Sequence, residues 1–454
     1  MPGTLQLNTS DFVKKIVFLF ISRYTIYRFN IQKIKNIILC INFDRTKEEG
    51  NMLSNWNLEL EEMYNKMVEW RRFMHQYPEL SNQEYKTSKL IASILSEYGI
   101  EKKINVGGMG VIGYIKGAQP GKTIALRADF DALPIQDEKE VPYKSKVAGV
   151  MHACGHDGHT ATLLAVGKVL QENREQLAGN VVLLFQHAEE GGGGARKMIA
   201  DNCLEGVDAI FANHLWSLIP TGTISYTKGY TTAAGDGFQI KIKGKGGHGS
   251  SPHDTIDSIA VAGQLINQLQ YIVSRRVNPQ KTAVVTIGSI HAGDASNVIA
   301  DSAILKGTVR TYEKEVQQLV EEAMNDAIKG ICLSSKADYE FDYYHGVAGV
   351  YNHPNETEIF AKSVKDSLPE LNVEEVPALL VSEDFANYLE EKPGMLFFTG
   401  AGNEALGAVY PHHHPKFDFD ERAMLNAGKA MLSIVHYYLV QNALEVIAPY
   451  NAVK

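Results

Sequence analysis

Cysteine is scarce in this chain: four residues in 454, at positions 40, 154, 203 and 332. Thiols so widely spaced do not form a disulfide framework. A reducing cytoplasm with free or metal-bound thiols fits them better, and Cys154 is the one to follow. Long apolar runs are also missing. The strongest candidate, KKIVFLFI near the N-terminus, is closed off by Arg23 before it reaches membrane-spanning length, so neither a membrane span nor a signal peptide is expected. Positive charge is in deficit. Lys and Arg number 44 against 53 Asp and Glu, a net charge of −9; the first fifty residues hold eight basic and four acidic groups, which leaves −13 on the remainder. Nucleic acid is therefore not an expected partner.

What is present is an ordinary globular composition, 44% hydrophobic and 21% charged, in a chain too long for one core. Residues 1–51 read as a poorly ordered extension ahead of a second methionine, Met52. Apolar residues at helical spacing (Leu58, Leu60, Met63, Met67, Trp70) predict a helix over 56–75, and Ser81 with Glu84 reads as a capping box opening a second one. Short apolar runs at 110–115, 123–129, 181–187, 208–214 and 395–401 have strand length and no alternation, as in central strands of an α/β sheet buried on both faces. Between 235 and 346 the pattern becomes alternating strands and two helices in the order βαββαβ, the ferredoxin-like arrangement. The expectation is a mixed or parallel-sheet α/β domain from 52–234 and 347–454, carrying an inserted lid or dimerisation domain at 235–346. GAQPGKT at 117–123 has one residue too few between its glycines for a phosphate loop and precedes a strand, so it reads as a hairpin turn.

Several apolar runs end in chemistry. TIALRA runs into Asp129 and Asp131, VVLLFQHA into Glu189 and Glu190, and DAIFAN into His214. Ligands of open α/β sheets bind beyond the carboxyl ends of the strands, so these groups can meet in one crevice. HACGHDGH, from His152 to His159, places thiolate, imidazole and carboxylate within a few residues, a set suited to zinc or a neighbouring divalent ion; Cys154 and His156 can share a metal while His152 and His159 need only orient the ligands. Adjacent carboxylates at 189 and 190 point to different places, so one can bind metal while the other faces substrate as a general base. The four glycines that follow lack a lysine and read as close packing rather than a phosphate cradle.

The ordered motifs RRFMHQYPELSNQE, ALRADFDALPI, GVMHACGHDGHTA, FQHAEEGGGGA, GKGGHGSSPH, SNVIADSAILKGTVRT, SEDF and HHHPKFDFDE closely resemble the M20 peptidase family over nearly the whole chain after Met52. The resemblance is to the amidohydrolase branch acting on N-acyl amino acids, hippurate and auxin conjugates. It implies two divalent metals, zinc or manganese with cobalt or nickel as alternatives, held by Cys154, His156, Glu190, His214 and His413, the histidine two residues before Pro415. It further implies Glu189 as the base, His248 as an oxyanion donor, and Asn297 and Arg310 as holders of the substrate carboxylate. Where the family usually has proline and glycine this chain has His187 and Val381, departures that bear on substrate preference.

The expected activity is hydrolysis of N-acyl-L-amino acids or short peptides by a cytoplasmic homo-oligomer assembled through the inserted domain. The rivals are a dipeptidase or carboxypeptidase of the same family and an inactive binding relative, which would need a lost ligand or base. A zinc nucleobase deaminase is excluded, because H-x-E followed by P-C-x-x-C is missing.

Overall fold

The computed structural model describes residues 52–441; the extension expected over 1–51 and the last stretch of the expected catalytic domain, 442–454, lie outside the described residues. Helix occupies 52–62, breaks at Met63 and resumes as Tyr64–Gln76. Trp56, Leu60, Met67 and Trp70 are buried by this pair as their spacing predicts, whereas Leu58, assigned to the same stripe, is 58% exposed. The second helix begins at Tyr85, not Ser81. No capping box forms. Glu79 accepts the Lys86 and Thr87 N–H groups instead, Ser81 turns to Asp131, and Glu84 stands at the N-cap without capping anything.

In chain order the strands that matter are β1 (Glu101–Val106), β2 (Gly110–Lys116), β3 (Gln119–Asp129), β4 (Ala178–Gln186), β5 (Ala209–Pro220), β6 (Thr223–Tyr226), β7 (Ala234–Lys243), β8 (Ala283–Ala292), β9 (Ser302–Thr311), β10 (Asp338–Val347), β11 (Asn372–Glu375) and β12 (Gly394–Gly402). Eight of them form one mixed sheet in the order β1-β2-β4-β3-β5-β12-β6-β11. Its central members β4, β3, β5 and β12 run parallel, and β3 reaches β4 through the helix His156–Glu172, the strand–helix–strand unit read from sequence. Helices cover both faces: Ala423–His436, His156–Glu172 and the N-terminal helices on one, with Met198, Phe385 and Tyr388 packed on the other. Fully buried side chains such as Phe185 and Phe211 each contribute about 2–3 kcal/mol on leaving water.

The turn at 117–123 is not a hairpin. β2 and β3 do not pair with each other; both pair with β4, which lies between them. The chain passes across the start of β4, with Gly117 N–H on the Gly179 carbonyl at 3.0 Å, and a Cβ at Gly117 would meet that oxygen at 2.2 Å. Glycine serves this close approach.

Strands β8-β9-β7-β10 form a separate antiparallel sheet, with register shifts at 287–289 in β8 and 344–347 in β10 and the helices Ser258–Tyr271 and Lys314–Ser335 packed on one face. Along β7 every second residue is buried, which is the period-two pattern of a sheet with one covered face. Strand order and connection together are ferredoxin-like. The whole is an α/β fold with a mixed central sheet and a second, smaller sheet.

Candidate metal centre

The sheet sets the site through register. Asp129 ends β3 opposite Gln186, the last residue of β4, and Arg127 lies opposite Ala212, which puts Asp129 level with His214 of β5. The residues just beyond β3 and β4 and the middle of the longer β5 therefore share one height above the sheet. His156 joins them as the first residue of its helix.

Cys154 Sγ lies 3.5 Å from His214 Nε2, His156 Nε2 lies 3.9 Å from Glu190 Oε1, and His413 Nε2 lies 3.2 Å from the same oxygen. Cys154, His156 and His214 form one compact donor group; Cys154, Glu190 and His413 form another, with Cys154 common to both. Donors about 2.0–2.3 Å from a tetrahedral ion are separated by roughly 3.3–3.8 Å, so the spacing fits bound cations. His156 Nε2 and Glu190 Oε1 are moreover buried with no hydrogen-bond partner, an arrangement that costs free energy until a cation lies between them. A pair of divalent ions fits these residues.

The surrounding groups fix which atoms face the ions. His214 Nδ1 donates to the Leu215 carbonyl at 2.8 Å, and His156 Nδ1 meets Asp131 Oδ1 at 3.2 Å, which leaves both Nε2 atoms free. Burial pushes His214 well below the usual imidazole range, so it is a neutral donor. Burial also opposes the charged form of His156, but Asp129 and Asp131 outweigh it and raise the imidazole to about 10 without metal, so an ion must displace a proton there. The Cys154 thiol is pushed well up by burial and by Glu190 and Glu189; it becomes a thiolate only against a cation. His159 is no ligand. Its Nδ1 meets Asp129 at 2.6 Å and its Nε2 accepts the Leu215 N–H. His152 is buried beside His75 with both ring nitrogens unpartnered.

Of the three consecutive histidines only His413 faces Glu190. His412 packs against Trp216, with centroids 4.4 Å apart and the rings tilted by 33°, and accepts the Ser217 N–H, while His414 stacks on Tyr410 and accepts the Lys416 N–H. The His413 N–H on the Ala153 carbonyl ties this loop to the HACG turn.

Glu189 stands beside the ligands, grouped with His156 and Glu190 on one side and with Glu383 and Asp384 on the other. Burial first, then Glu383, Glu190 and Asp384, push its carboxyl well up; bound dications would bring it back toward the range of a base working near neutral pH. Sequence reasoning missed what lies beneath it. Arg127 is wholly buried and bonds Asp129, Glu383, Asp384 and Gln186 at once. Its signal was there: a guanidinium in the middle of the apolar run TIALRAD needs buried partners.

A cavity of about 610 Å³ opens over these groups and is lined by Glu189, Glu190, Cys154, His214 and His413, with Trp216, Leu396, Phe398, Leu380 and Val381 supplying apolar wall. Arg310 lines it from the second sheet; its guanidinium bonds one backbone carbonyl and no carboxylate among the described residues. His248 and Asn297 do not line it. They sit side by side at an exposed two-stranded ladder of their own, 247–248 with 298–299, where the Gly249 N–H reaches the Asn297 carbonyl and His248 Nδ1 meets Ser250. His187 also points elsewhere, buried against the Gly107–Gly108 turn, while Val381 does face the cavity. Half of the glycine run packs closely, a Cβ at Gly194 lying 1.7 Å from the His187 carbonyl oxygen and one at Gly192 2.4 Å from the Ala188 Cβ; Gly191 and Gly193 have open space and positive φ instead.

A donor-rich cleft of this kind, set at the strand ends of an α/β sheet, fits a metal-dependent hydrolase. The profile of Peptidase family M20/M25/M40 matches residues 125–437, and the chain belongs to that family. It is 51% identical to the Bacillus subtilis protein YhaA, named as an amidohydrolase, over 83% of this chain and 95% of that one. It is 41% identical to an N-acyl-L-amino acid amidohydrolase of Geobacillus stearothermophilus, covering 68% of this chain and 82% of that one. The Bacillus subtilis YxeP structure, described as a dinuclear metal-binding peptidase of family M20, superposes with a TM-score of 0.74 at 37% identity, covering 84% of this chain and 99% of that one. Among the described residues no helix is long and apolar enough to cross a membrane.

Proposed function

We propose that this enzyme hydrolyses the amide bond of N-acyl-L-amino acids with acetyl, benzoyl or similar acyl groups. The observation that carries the reading is that one cavity brings together Glu189, two cation-ready donor groups sharing Cys154, and the guanidinium of Arg310, which bonds no carboxylate among the described residues. Two divalent ions, zinc or manganese with cobalt or nickel as alternatives, would be held by Cys154, His156, Glu190, His214 and His413; they would supply Lewis acidity for the carbonyl and acidify water at neutral pH. Glu189 takes the proton from water at its carboxylate and hands it to the departing amine. Arg310 holds the substrate carboxylate in its planar fork, and the acyl group lies against Trp216 and Phe398.

Residues 52–234 with 347–454 serve as the catalytic domain and 235–346 as the lid. Closure of the lid is what would bring His248 to the oxyanion and Asn297 to the carboxylate, since both stand outside the cavity. Exposed Ile259, Ile290 and Val298 on the same domain suit a homo-oligomer contact. Free thiols at Cys154, Cys203 and Cys332 suit the cytoplasm.

The second reading, a dipeptidase or carboxypeptidase, is favoured by the peptidase description of the YxeP structure. Hydrolysis of N-acetyl and N-benzoyl amino acids beside free dipeptides separates the two: acyl-amino-acid turnover supports the first, and turnover of dipeptides alone moves the enzyme to the second.

A further inference from the structure

Glu189 follows a strained turn. β4 ends at Gln186, and two residues later Ala188 adopts φ +52°, the left-handed region that residues bearing a Cβ seldom enter. The Ala188 carbonyl accepts the Gly192 and Gly194 N–H groups at 3.2 and 3.0 Å, so this residue is the pivot from which the glycine run folds back. The backbone is gripped on both sides of Glu189. On one side Glu84 Oε1 accepts the Ala188 N–H at 2.8 Å; on the other Asp131 Oδ2 accepts the Glu190 N–H at 3.0 Å and is itself steadied by the Ser81 hydroxyl at 2.7 Å.

The Glu84 grip is not explained by its own helix. Its side chain makes no cap although it occupies the N-cap, and it is fully buried. Its second oxygen, Oε2, is buried without a hydrogen-bond partner. Burial disfavours the charged form and pushes the carboxyl up to about 7. Leaving that oxygen unpaired costs free energy.

We infer that Glu84 is a positioning residue for the base: by holding the Ala188 N–H it locks the left-handed turn that aims the Glu189 carboxylate. The inference rests on the reading of Glu189 as the base. It requires an acceptor at position 84, which glutamine retains and alanine or leucine does not.

The test uses the full-length, metal-loaded enzyme with Glu84→Ala, Glu84→Leu and Glu84→Gln. Displacement of a reacting group by about 1 Å costs on the order of a hundredfold in rate. Glu84→Ala and Glu84→Leu are therefore expected to lose about tenfold or more in kcat, with KM within about twofold and metal content unchanged, and Glu84→Gln to recover most of the loss. Leucine fills the space and guards against a variant that fails to fold. Hydrogen exchange over 187–191 should quicken in Glu84→Ala and Glu84→Leu and stay protected in Glu84→Gln. Unchanged kcat in the apolar variants, equal loss in Glu84→Gln, or loss that tracks metal content overturns the inference. If the parent enzyme turns over no amide, the functional reading fails instead; hydrogen exchange then still decides whether Glu84 holds the turn, and unchanged exchange in the apolar variants refutes it.

Discussion

His413 Nε2 stands 3.2 Å from Glu190 Oε1, a buried oxygen that has no hydrogen-bond partner among the described residues. His413 has an otherwise unfavourable left-handed φ of +64° and a side chain that is half exposed. A metal ion accounts for such a conformation and such a contact together. His413→Ala is expected to cost about one equivalent of metal per chain and nearly all activity; metal analysis after gel filtration checks it, and full metal content would remove His413 from the ligand set.

Removal of both ions should unfold the local site as well as silence it. Without cations the raised His156 imidazole keeps its proton, and Glu190 Oε1 remains a buried atom without a hydrogen-bond partner. A chelator is expected to lower Tm, and manganese or zinc to restore both Tm and turnover. A chelated enzyme with unchanged Tm would show that the donors are satisfied without metal.

Arg127 is held by four partners beneath Glu189, all of them buried. Arg127→Met leaves Glu383, Asp384 and Asp129 short of their counter-charge, a loss of about 3–5 kcal/mol by analogy with broken buried pairs. Denaturant unfolding measures it. A loss below about 1 kcal/mol would mean that the carboxylates find protons or other partners at little cost.

Glu84 gives a stability signature that runs with pH. Its folded pKa of about 7 lies above the unfolded value of 4.5, so the folded state binds the proton more tightly. The protonated group leaves stability unchanged below about pH 4.5; stability is then lost as pH rises through the interval to 7. Relative to Glu84→Gln, the parent should lose on the order of 2–3 kcal/mol between pH 4.5 and 7. Parallel stability–pH curves for the two proteins would contradict the burial cost assigned to this carboxyl.

Arg310→Ala should raise KM for N-acyl amino acids by about tenfold or more while moving kcat little, because a group that holds the substrate equally before and during reaction affects binding. Steady-state kinetics with N-acetyl amino acids and their C-terminal amides check this. Equal KM for acid and amide in the parent enzyme would remove the carboxylate from the recognition scheme.

The sequence carried the sheet better than the connections. Continuous apolar runs give buried strands because both faces of the central sheet are covered, and the acids and histidines that end them mark the crevice. The position of β4 between β2 and β3 was not legible, since the glycines at 117 and 179 look the same in a hairpin and in a close crossing. Ser81 and Glu84 illustrate the same limit: S-x-x-E satisfies a local rule, yet Asp131 and Ala188, remote in sequence, claim both side chains. His413 was separable from His412 and His414 only by resemblance, because three adjacent histidines carry no signal of which one a loop aims at Glu190.

The central claim is that Glu189 moves the proton at a two-metal site. The measurement that addresses it most directly is turnover of N-acyl amino acids by Glu189→Gln with metal content determined on the same sample. Two metals per chain with kcat reduced by about a thousandfold or more is the predicted result, since a general base contributes 10²–10⁴-fold and more where it also returns the proton. Two metals with kcat near that of the parent would contradict it.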